Sequence, residues 1–166
     1  GIKSSYVQFG TAFINNKPQF GISLWIKSSG KEDGIFTVAS TSKQQEFWIQ
    51  NQESSRVTIR GNEINTGKKL NDNKWHHVFV NVNSAGRRAE IWIDGANIKN
   101  SSNIDINNVR ANKVILGQKI PSDLSNNYNP SNSYLGLIDE LAVFNKTLTA
   151  SEIKDLYNNG IGRRVC

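Results

Sequence analysis

The paired carboxylates of this sequence are its candidates for acid–base catalysis. Asp139 and Glu140 are adjacent in a stretch that alternates like a strand, so we expect their side chains to point to opposite faces. Glu90 and Asp94 share a face, but they stand four residues apart with Trp92 between them. A two-carboxylate glycosidase of the retaining type needs both groups on one face, about 5 Å apart. Neither pair meets that requirement in the predicted strands.

The histidines and the cysteine also lack the spacing of a nucleophilic site. His76 and His77 are adjacent, so a strand would point them to opposite faces. Cys166 is the single cysteine and the last residue, so it cannot pair within the chain. We therefore predict that the protein is not an enzyme, and the partner of the thiol is left open.

Aromatic side chains occupy strand positions where polar residues would be expected. Trp48, Phe79 and Trp92 have the parity opposite to the apolar residues of their own strands. If these strands lie in one sheet, that face carries a row of aromatic rings, with His77 and Asp94 beside them. A sugar ring can stack on such rings while its hydroxyls bind polar neighbours. The pattern predicts a shallow glycan site, and burial of the rings under a loop is the alternative.

The charges and a long polar loop offer two further binding regions. The chain carries 20 Lys and Arg against 14 Asp and Glu, a net charge of +6, which favours anionic partners such as sulfated or sialylated glycans. Arg87 and Arg88 lie in a predicted hairpin, where they could pair sulfate or simply keep the protein soluble. Asn127, Tyr128 and Asn129 lie in the loop 121–134, and long ordered loops are often functional.

Two classes of partner are not expected. The basic pairs lack the interleaved exposed aromatic residues of a nucleic-acid groove. No stretch approaches the ~18 apolar residues of a membrane-spanning helix, so we expect no membrane insertion.

The chain contains no methionine, which predicts a processed or excised piece of a longer protein, and residues 1–166 suit one domain.

The order of the elements predicts an all-β, two-sheet antiparallel β-sandwich with one short C-terminal helix. Asp94 and Gly95 are a two-residue hairpin signal. Thr149 and Glu152 have the spacing of a capping box at the start of the helix, and Gly160 would end it. The predicted strands are Tyr6–Phe9, Gln19–Lys27, Ile35–Ala39, Glu46–Gln50, Arg56–Arg60, two long strands within residues 74–95, Lys113–Gly117 and Leu135–Asn145.

Three stretches resemble the laminin G-like and pentraxin-like domains of the concanavalin A-type lectin/glucanase superfamily. They are "FGISLWIKSS" at 20–29, "WHHVFVNVNSAGRRAEIWIDG" at 75–95 and "LGLIDELAVFNKTLTASEIKDLYNNG" at 135–160. The resemblance runs from about Tyr6 to about Gly160. It implies a jelly-roll sandwich, and it identifies Trp25 and Trp75 with tryptophans that pack in such domains.

The resemblance also implies a function. The protein would be a non-catalytic recognition module that binds glycans or glycosylated surface partners, in a secreted or cell-surface protein of the adhesion type. A protein–protein adhesion domain and a carbohydrate-binding appendage of a glycan-active enzyme remain alternatives. Many such domains hold calcium, and Asp139 would be its ligand here. Other loop carboxylates that could assist, or merely cap their own turns, are Asp72, Asp94, Asp105 and Asp123.

Overall fold

The structure of the protein, a computed structural model, describes residues 6–30, 32–51, 54–104, 106 and 108–162. Cys166 and Asp105 lie outside these residues. The described residues form eleven strands, one α-helix, and two short 3₁₀ turns at Pro130–Asn132 and Asn158–Gly160. The strands and the α-helix are β1 (Val7–Phe9), β2 (Gln19–Ser28), β3 (Glu32–Ser40), β4 (Lys43–Asn51), β5 (Arg56–Ile59), β6 (Asn62–Asn65), β7 (His76–Asn83), β8 (Arg88–Ile93), β9 (Ala96–Ser102), β10 (Lys113–Leu116), β11 (Gly136–Phe144) and α1 (Ala150–Tyr157).

The strands form two antiparallel sheets packed as a jelly-roll sandwich, which confirms the predicted fold. The six-stranded sheet has the order β1-β10-β3-β4-β5-β6. The five-stranded sheet has the order β11-β2-β7-β8-β9. Strands that are neighbours in a sheet are often distant in the chain, as β1 and β10 are, so the sheets close only when the last third of the chain is in place.

The core lies between the sheets and follows from the two-residue period of the strands. Alternate residues of β2 point inward, and the register sets Ile22 opposite Val80, and Val80 opposite Ile91. All three side chains are buried. The six-stranded sheet contributes Phe47, which meets Phe20 edge to face at 5.5 Å between ring centroids. The apolar face of each predicted strand is thus the face that fills the sandwich.

Two strands, β6 and β9, have no counterpart in the sequence analysis. Both are polar strands at the edge of their sheet, so neither shows the apolar alternation by which a buried strand is recognised. Each follows a tight turn with two left-handed residues. Arg60 and Gly61 have φ values of 49° and 85°, and Asp94 and Gly95 have values of 51° and 72°. The Asp94-Gly95 hairpin was itself predicted, and its second strand, β9, could have been inferred from it.

Helix α1 covers part of the outer face of the five-stranded sheet. Glu152 N donates to Thr149 Oγ1 at 3.3 Å, and Thr149 N donates to the Glu152 carboxylate at 2.7 Å, so the predicted capping box forms. Isolated helices this short are marginal in water, and packing supplies most of the stability. Ile153 is fully buried against Phe79 and Trp92, a burial worth about 1.5–3 kcal/mol per large side chain. Within the described ranges, no helix is long and apolar enough to cross a membrane.

The loop 121–134 covers part of the outer face of the six-stranded sheet. Leu124 and Tyr128 pack there against a buried cluster that contains Ala39, Ile115 and Ile120. The loop is therefore an ordered cover with its own small core, which explains how so many polar residues can follow one another in a compact domain.

Lys113 fastens this loop. Its Nζ donates to the carbonyl oxygens of Leu124 at 2.6 Å and Ser125 at 2.8 Å, and to Asn126 Oδ1 at 2.9 Å. The side chain is buried, and burial lowers the pKa of its ammonium group. Because one charged donor satisfies three acceptors of the loop, it holds the loop in a fixed position against the sheet.

We expect Lys113→Met to loosen the loop, because the three acceptors lose a charged donor. The expected loss of unfolding free energy is about 1–3 kcal/mol in urea titrations. Amide hydrogen exchange should accelerate over residues 121–134. Lys119→Met is the matched control, since it removes the same charge from a lysine whose Nζ lies over the Trp48 ring, 4.7 Å from the centroid. Equal exchange in the two variants would contradict the anchoring role.

A second prediction concerns Gly95, which lies under the helix end. A Cβ at this position would lie 2.6 Å from Tyr157 Cδ1, and φ is +72°. Gly67 has almost the same φ, +70°, with nothing within 4 Å of such a Cβ. Both alanine variants therefore carry the backbone strain, but only Gly95→Ala must displace the ring. We expect Gly95→Ala to be the less stable of the two by about 1–3 kcal/mol, measured by thermal and urea unfolding. Equal stabilities of the two variants would show that the Tyr157 ring can move aside with no loss of unfolding free energy.

Candidate functional site

The predicted exposed row of aromatic rings does not exist. Trp48 lies on β4 of the six-stranded sheet, whereas Phe79 and Trp92 lie on β7 and β8 of the five-stranded sheet. Phe79 is fully buried, and Trp92 is 7% exposed in a cluster with Ile153 of α1. Trp48 is 4% exposed. The alternative, burial under covering segments, is therefore correct, and none of these rings offers a face to a ligand.

His77 is also removed from solvent. It is fully buried, and its Nε2 forms a hydrogen bond of 2.8 Å with Ser23 Oγ. Its ring packs against Trp25 and Tyr157, whose centroids lie 5.3 and 6.2 Å away. Burial lowers its pKa to about 4, although the nearby Asp94 carboxylate acts in the opposite direction. His77 is therefore a neutral core residue at pH 7 that offers no surface to a ligand in this structure, and its role in binding stays a prediction.

His76, its neighbour, has the opposite character. Its Nδ1 lies 2.8 Å from Asp94 Oδ2, and its Nε2 lies 2.9 Å from Asp72 Oδ1. Both nitrogens face carboxylate oxygens, so the protonated ring can donate to both. Partial burial opposes the charge, but hydrogen bonds to Asp94 and Asp72 outweigh it, and the pKa of His76 is raised. Asp94 also accepts from His77 N at 2.9 Å, so this predicted ligand residue is engaged in holding the end of the β7–β8 hairpin.

The two histidines predict opposite contributions to the pH dependence of stability. Between pH 6.5 and about 4 the unfolded chain binds a proton that folded His77 does not, so the free energy of unfolding falls on acidification. At about 1.4 kcal/mol per pKa unit the contribution is roughly 3 kcal/mol. We expect His77→Gln to flatten this acid slope in urea unfolding experiments run across pH 4–7.

His76→Gln is the matched control. Because the folded-state pKa of His76 is raised, its stabilising contribution is complete below pH 6.5 and is lost as the pH rises through that folded-state value. The variant should lose stability at acidic pH and keep the acid slope that His77 causes. An acid slope unchanged in His77→Gln would contradict the buried, neutral state of that ring.

A shallow pocket lies beside the covered part of the five-stranded sheet, where the chain leaves α1. We call it the Trp75 pocket; it has a volume of about 160 Å³. Trp75, just before β7, leaves 40% of its surface exposed, and Ile161 is 83% exposed. Trp25 is buried and stacks on Tyr157 at 5.9 Å, as expected for a packing residue. The lining residues are Trp25, Trp75, Asp139, Glu140, Gly160 and Ile161.

A β-bulge brings two carboxylates to this pocket. Asp139 pairs with Trp25 and Ala142 with Ser23, so β11 carries one residue more than β2 between these pairs. Glu140 takes a left-handed conformation with φ of 49°, and its N donates to Asp139 Oδ1 at 2.8 Å. Both residues line the pocket. The expectation that Asp139 and Glu140 face opposite sides is therefore wrong, because strict alternation fails at a bulge.

Trp75 is a pocket residue that the sequence analysis did not select as a ligand-binding candidate. It was interpreted as a packing residue, together with Trp25, because both match tryptophans of the resembling domains. A usable signal was its parity, since Trp75 shares the outward parity of His77 and Phe79, and it stands before the strand begins. Residues at a strand's end are less completely covered than those in its middle.

The described residues do not assemble the carboxylate cluster of a metal centre. No group of three or more His, Cys, Asp or Glu side chains among them is placed to hold an ion. Asp123 accepts from Ser125 N at 2.9 Å and so caps its own turn. Asp139 is exposed, and calcium binding at this residue stays a prediction.

The remaining predicted residues lie apart from the Trp75 pocket. Arg87 donates from Nε to Ile104 O and from Nη2 to Asn103 O, both at 3.3 Å. Arg88 is exposed and lines a different pocket, with Asn83 and Glu90.

The loop candidates are mixed in their exposure. Asn127 is exposed, and Tyr128 is half-buried beneath the loop 121–134. Asn129 Oδ1 caps the 3₁₀ turn by accepting from Ser131 N at 3.0 Å. The structure therefore does not gather the predicted residues into one site, and the role of each in binding stays a prediction.

Several known proteins resemble this chain in sequence or in structure. The rat "Sushi, von Willebrand factor type A, EGF and pentraxin domain-containing protein 1" is 23% identical over 138 residues. The match covers 80% of this chain and 4% of that protein, so the chain spans only a small part of this curated relative.

Two solved structures extend the comparison, and at their identities they show the fold alone. The SAP-like pentraxin of Limulus polyphemus has a TM-score of 0.71 at 18% identity, over 89% of this chain and 73% of that one. Domain 4 of AbnA, an extracellular GH43 arabinanase of Geobacillus stearothermophilus in complex with arabinotriose, has a TM-score of 0.61 at 20% identity, over 86% of this chain and 68% of that one. A laminin G family model matches residues 2–154, and the chain therefore belongs to the concanavalin A-like lectin/glucanases superfamily.

Proposed function

We propose that the protein is a non-catalytic recognition module that binds glycans through the Trp75 pocket. The observation that carries the proposal is the exposed Trp75 ring beside two carboxylates. The Trp75 ring leaves 40% of its surface exposed, and the apolar face of a sugar ring would stack on it. Hydroxyl groups of the same sugar would donate to the oxygens of Asp139 and Glu140.

The size of the pocket limits the ligand. Its volume of about 160 Å³ is below the range of about 300–1,000 Å³ that encloses drug-sized ligands. It would therefore bind one sugar ring of a larger glycan, and the rest of the glycan would lie across the protein surface. Shallow recognition of this kind suits a module whose strength comes from several copies or several domains.

The comparisons support this proposal in two respects. The arabinanase domain of the same fold was solved in complex with arabinotriose, so the fold carries a sugar site in that protein. That protein is described as extracellular, and we propose the same location, outside the cell or on its surface, for the present chain. We further propose that residues 1–166 act as one domain in this role.

A protein partner is the second candidate, and a specific feature favours it. Leu135 and Leu137 are 64% and 57% exposed at or beside the edge strand β11, near the Trp75 pocket. A protein–protein interface would bury these leucines, whereas a sugar would gain little from them.

Two variants separate these functions. We expect Trp75→Ala to lose glycan binding by at least tenfold on an array of neutral, sulfated and sialylated glycans, with titration calorimetry on the best ligand. Its thermal midpoint should shift by only a few degrees, because the ring is already partly exposed. Leu137→Ser is the control: it removes a neighbouring exposed apolar side chain that offers no ring for stacking, and it should leave glycan binding unchanged.

Other outcomes would replace the proposal. Loss of a protein ligand in Leu137→Ser, with no glycan bound by the parent chain, would assign the surface to a protein partner. Glu140→Gln addresses catalysis, because the amide keeps the shape and removes the acid. Release of reducing sugar by the parent chain, abolished in Glu140→Gln, would make the pocket an active site.

A further inference from the structure

We infer a second ligand site at the other end of the sandwich: a basic pocket that takes an oxyanion, either a sulfate ester or a sugar carboxylate. It has a volume of about 450 Å³. Its walls are formed mainly by Asn16, Pro18, Arg60, Ser84, Asn108 and Arg110. This inference does not rest on the proposed function of the Trp75 pocket, and the two sites can be tested separately.

The two pockets are far apart. Trp75 immediately precedes β7 and Ser84 immediately follows it. At about 3.3 Å per residue, this strand sets them roughly 30 Å apart. A change in one pocket should therefore leave the other unaffected.

Charge is the first argument for an anionic ligand. Arg60 and Arg110 both line the pocket. The nearby carboxylate, Glu46, is fully buried and accepts from Arg60 Nη1 at 2.8 Å, Arg110 N at 3.3 Å and Ser40 Oγ at 2.7 Å. Two guanidinium groups against one carboxylate leave a net positive charge.

The exposure of the two arginines decides which of them meets the ligand. The Arg60 side chain is 19% exposed, so its main role is to neutralise Glu46. Arg110 is exposed, and no carboxylate among the described residues pairs with its guanidinium. Arginine recognises sulfate and carboxylate groups with paired N–H donors, so Arg110 is the group we assign to the anion.

The walls are held in place before any ligand arrives. Asn16 N donates to Val109 O at 2.7 Å, and Asn108 Nδ2 donates to Asn16 Oδ1 at 3.2 Å. Ser84 N donates to Pro18 O at 2.8 Å, which ties the β7–β8 turn to the segment before β2. Three segments distant in the sequence are thus joined around one space, which lowers the entropy that binding would cost.

Ser84 supplies an independent observation. Its Oγ is buried, and no described atom forms a hydrogen bond with it. Buried hydroxyl groups are nearly always satisfied, so this one calls for a partner. Since Ser84 lines the pocket, its hydroxyl would donate to an oxygen of the bound anion.

The test is an amide-shift titration of ¹⁵N-labelled protein, with sodium sulfate in one arm and N-acetylneuraminic acid in the other. Sodium chloride at matched ionic strength is the reference. We expect saturable shifts at Ser84 and Arg110. Arg110→Gln should weaken the binding by at least about tenfold, as expected for a lost charge-assisted hydrogen bond. Saturation by sulfate alone would assign a sulfate ester, and saturation by the sugar acid alone would assign a carboxylate.

Arg88→Gln is the matched control, because it removes the same charge from an exposed arginine outside this pocket. It should change the affinity less than twofold, and Trp75→Ala should leave the titration unchanged. Shifts that never saturate, or equal weakening by Arg88→Gln, would indicate a diffuse positive field and overturn the inference. Arg60 is not varied, since its loss would leave Glu46 buried without its partner.

Discussion

The packing of the helix end against the five-stranded sheet determines what this surface can do. Tyr157 lies on Trp25, His77 and Gly95 at once, and this contact fixes the direction in which the chain leaves α1. Phe79 and Trp92, which point away from the main core, are thereby buried in a second apolar cluster with Ile153. The chain then turns through Gly160 and Ile161 and forms a wall of the Trp75 pocket. This aromatic contact thus helps to cover part of one sheet face and shapes the pocket beside it.

The fold was predictable because its signals are local. Strands with buried faces, such as β2 and β7, show the two-residue period, and the capping box marks the start of α1. The edge strands β6 and β9 lack such a signal because most of their side chains are polar and neither face is fully buried. Polar β9 was therefore missed, although the hairpin turn before it was recognised.

The site was harder to predict because it depends on relations between distant residues. Parity shows that Phe79 and Trp92 point away from the sandwich core, but it does not show that Ile153 will cover them. Parity also fails at Glu140, where a left-handed residue turns two consecutive carboxylates into the same pocket. The basic pocket lined by Arg60, Ser84 and Arg110 was not predicted for the same reason, since its walls come from segments that meet only in the folded chain.

The position of the covering segments along the chain has a consequence for biosynthesis. Strands β1 to β9 are made before the loop 121–134 and the helix that protect the outer faces of the two sheets. Phe79 and Trp92 therefore leave the ribosome without their cover, and this apolar surface stays accessible until helix α1 has been made. In this topology a ribosome stall between β9 and α1 would present aggregation-prone strands to the cell, because the sheets are protected only once both covering segments have been made.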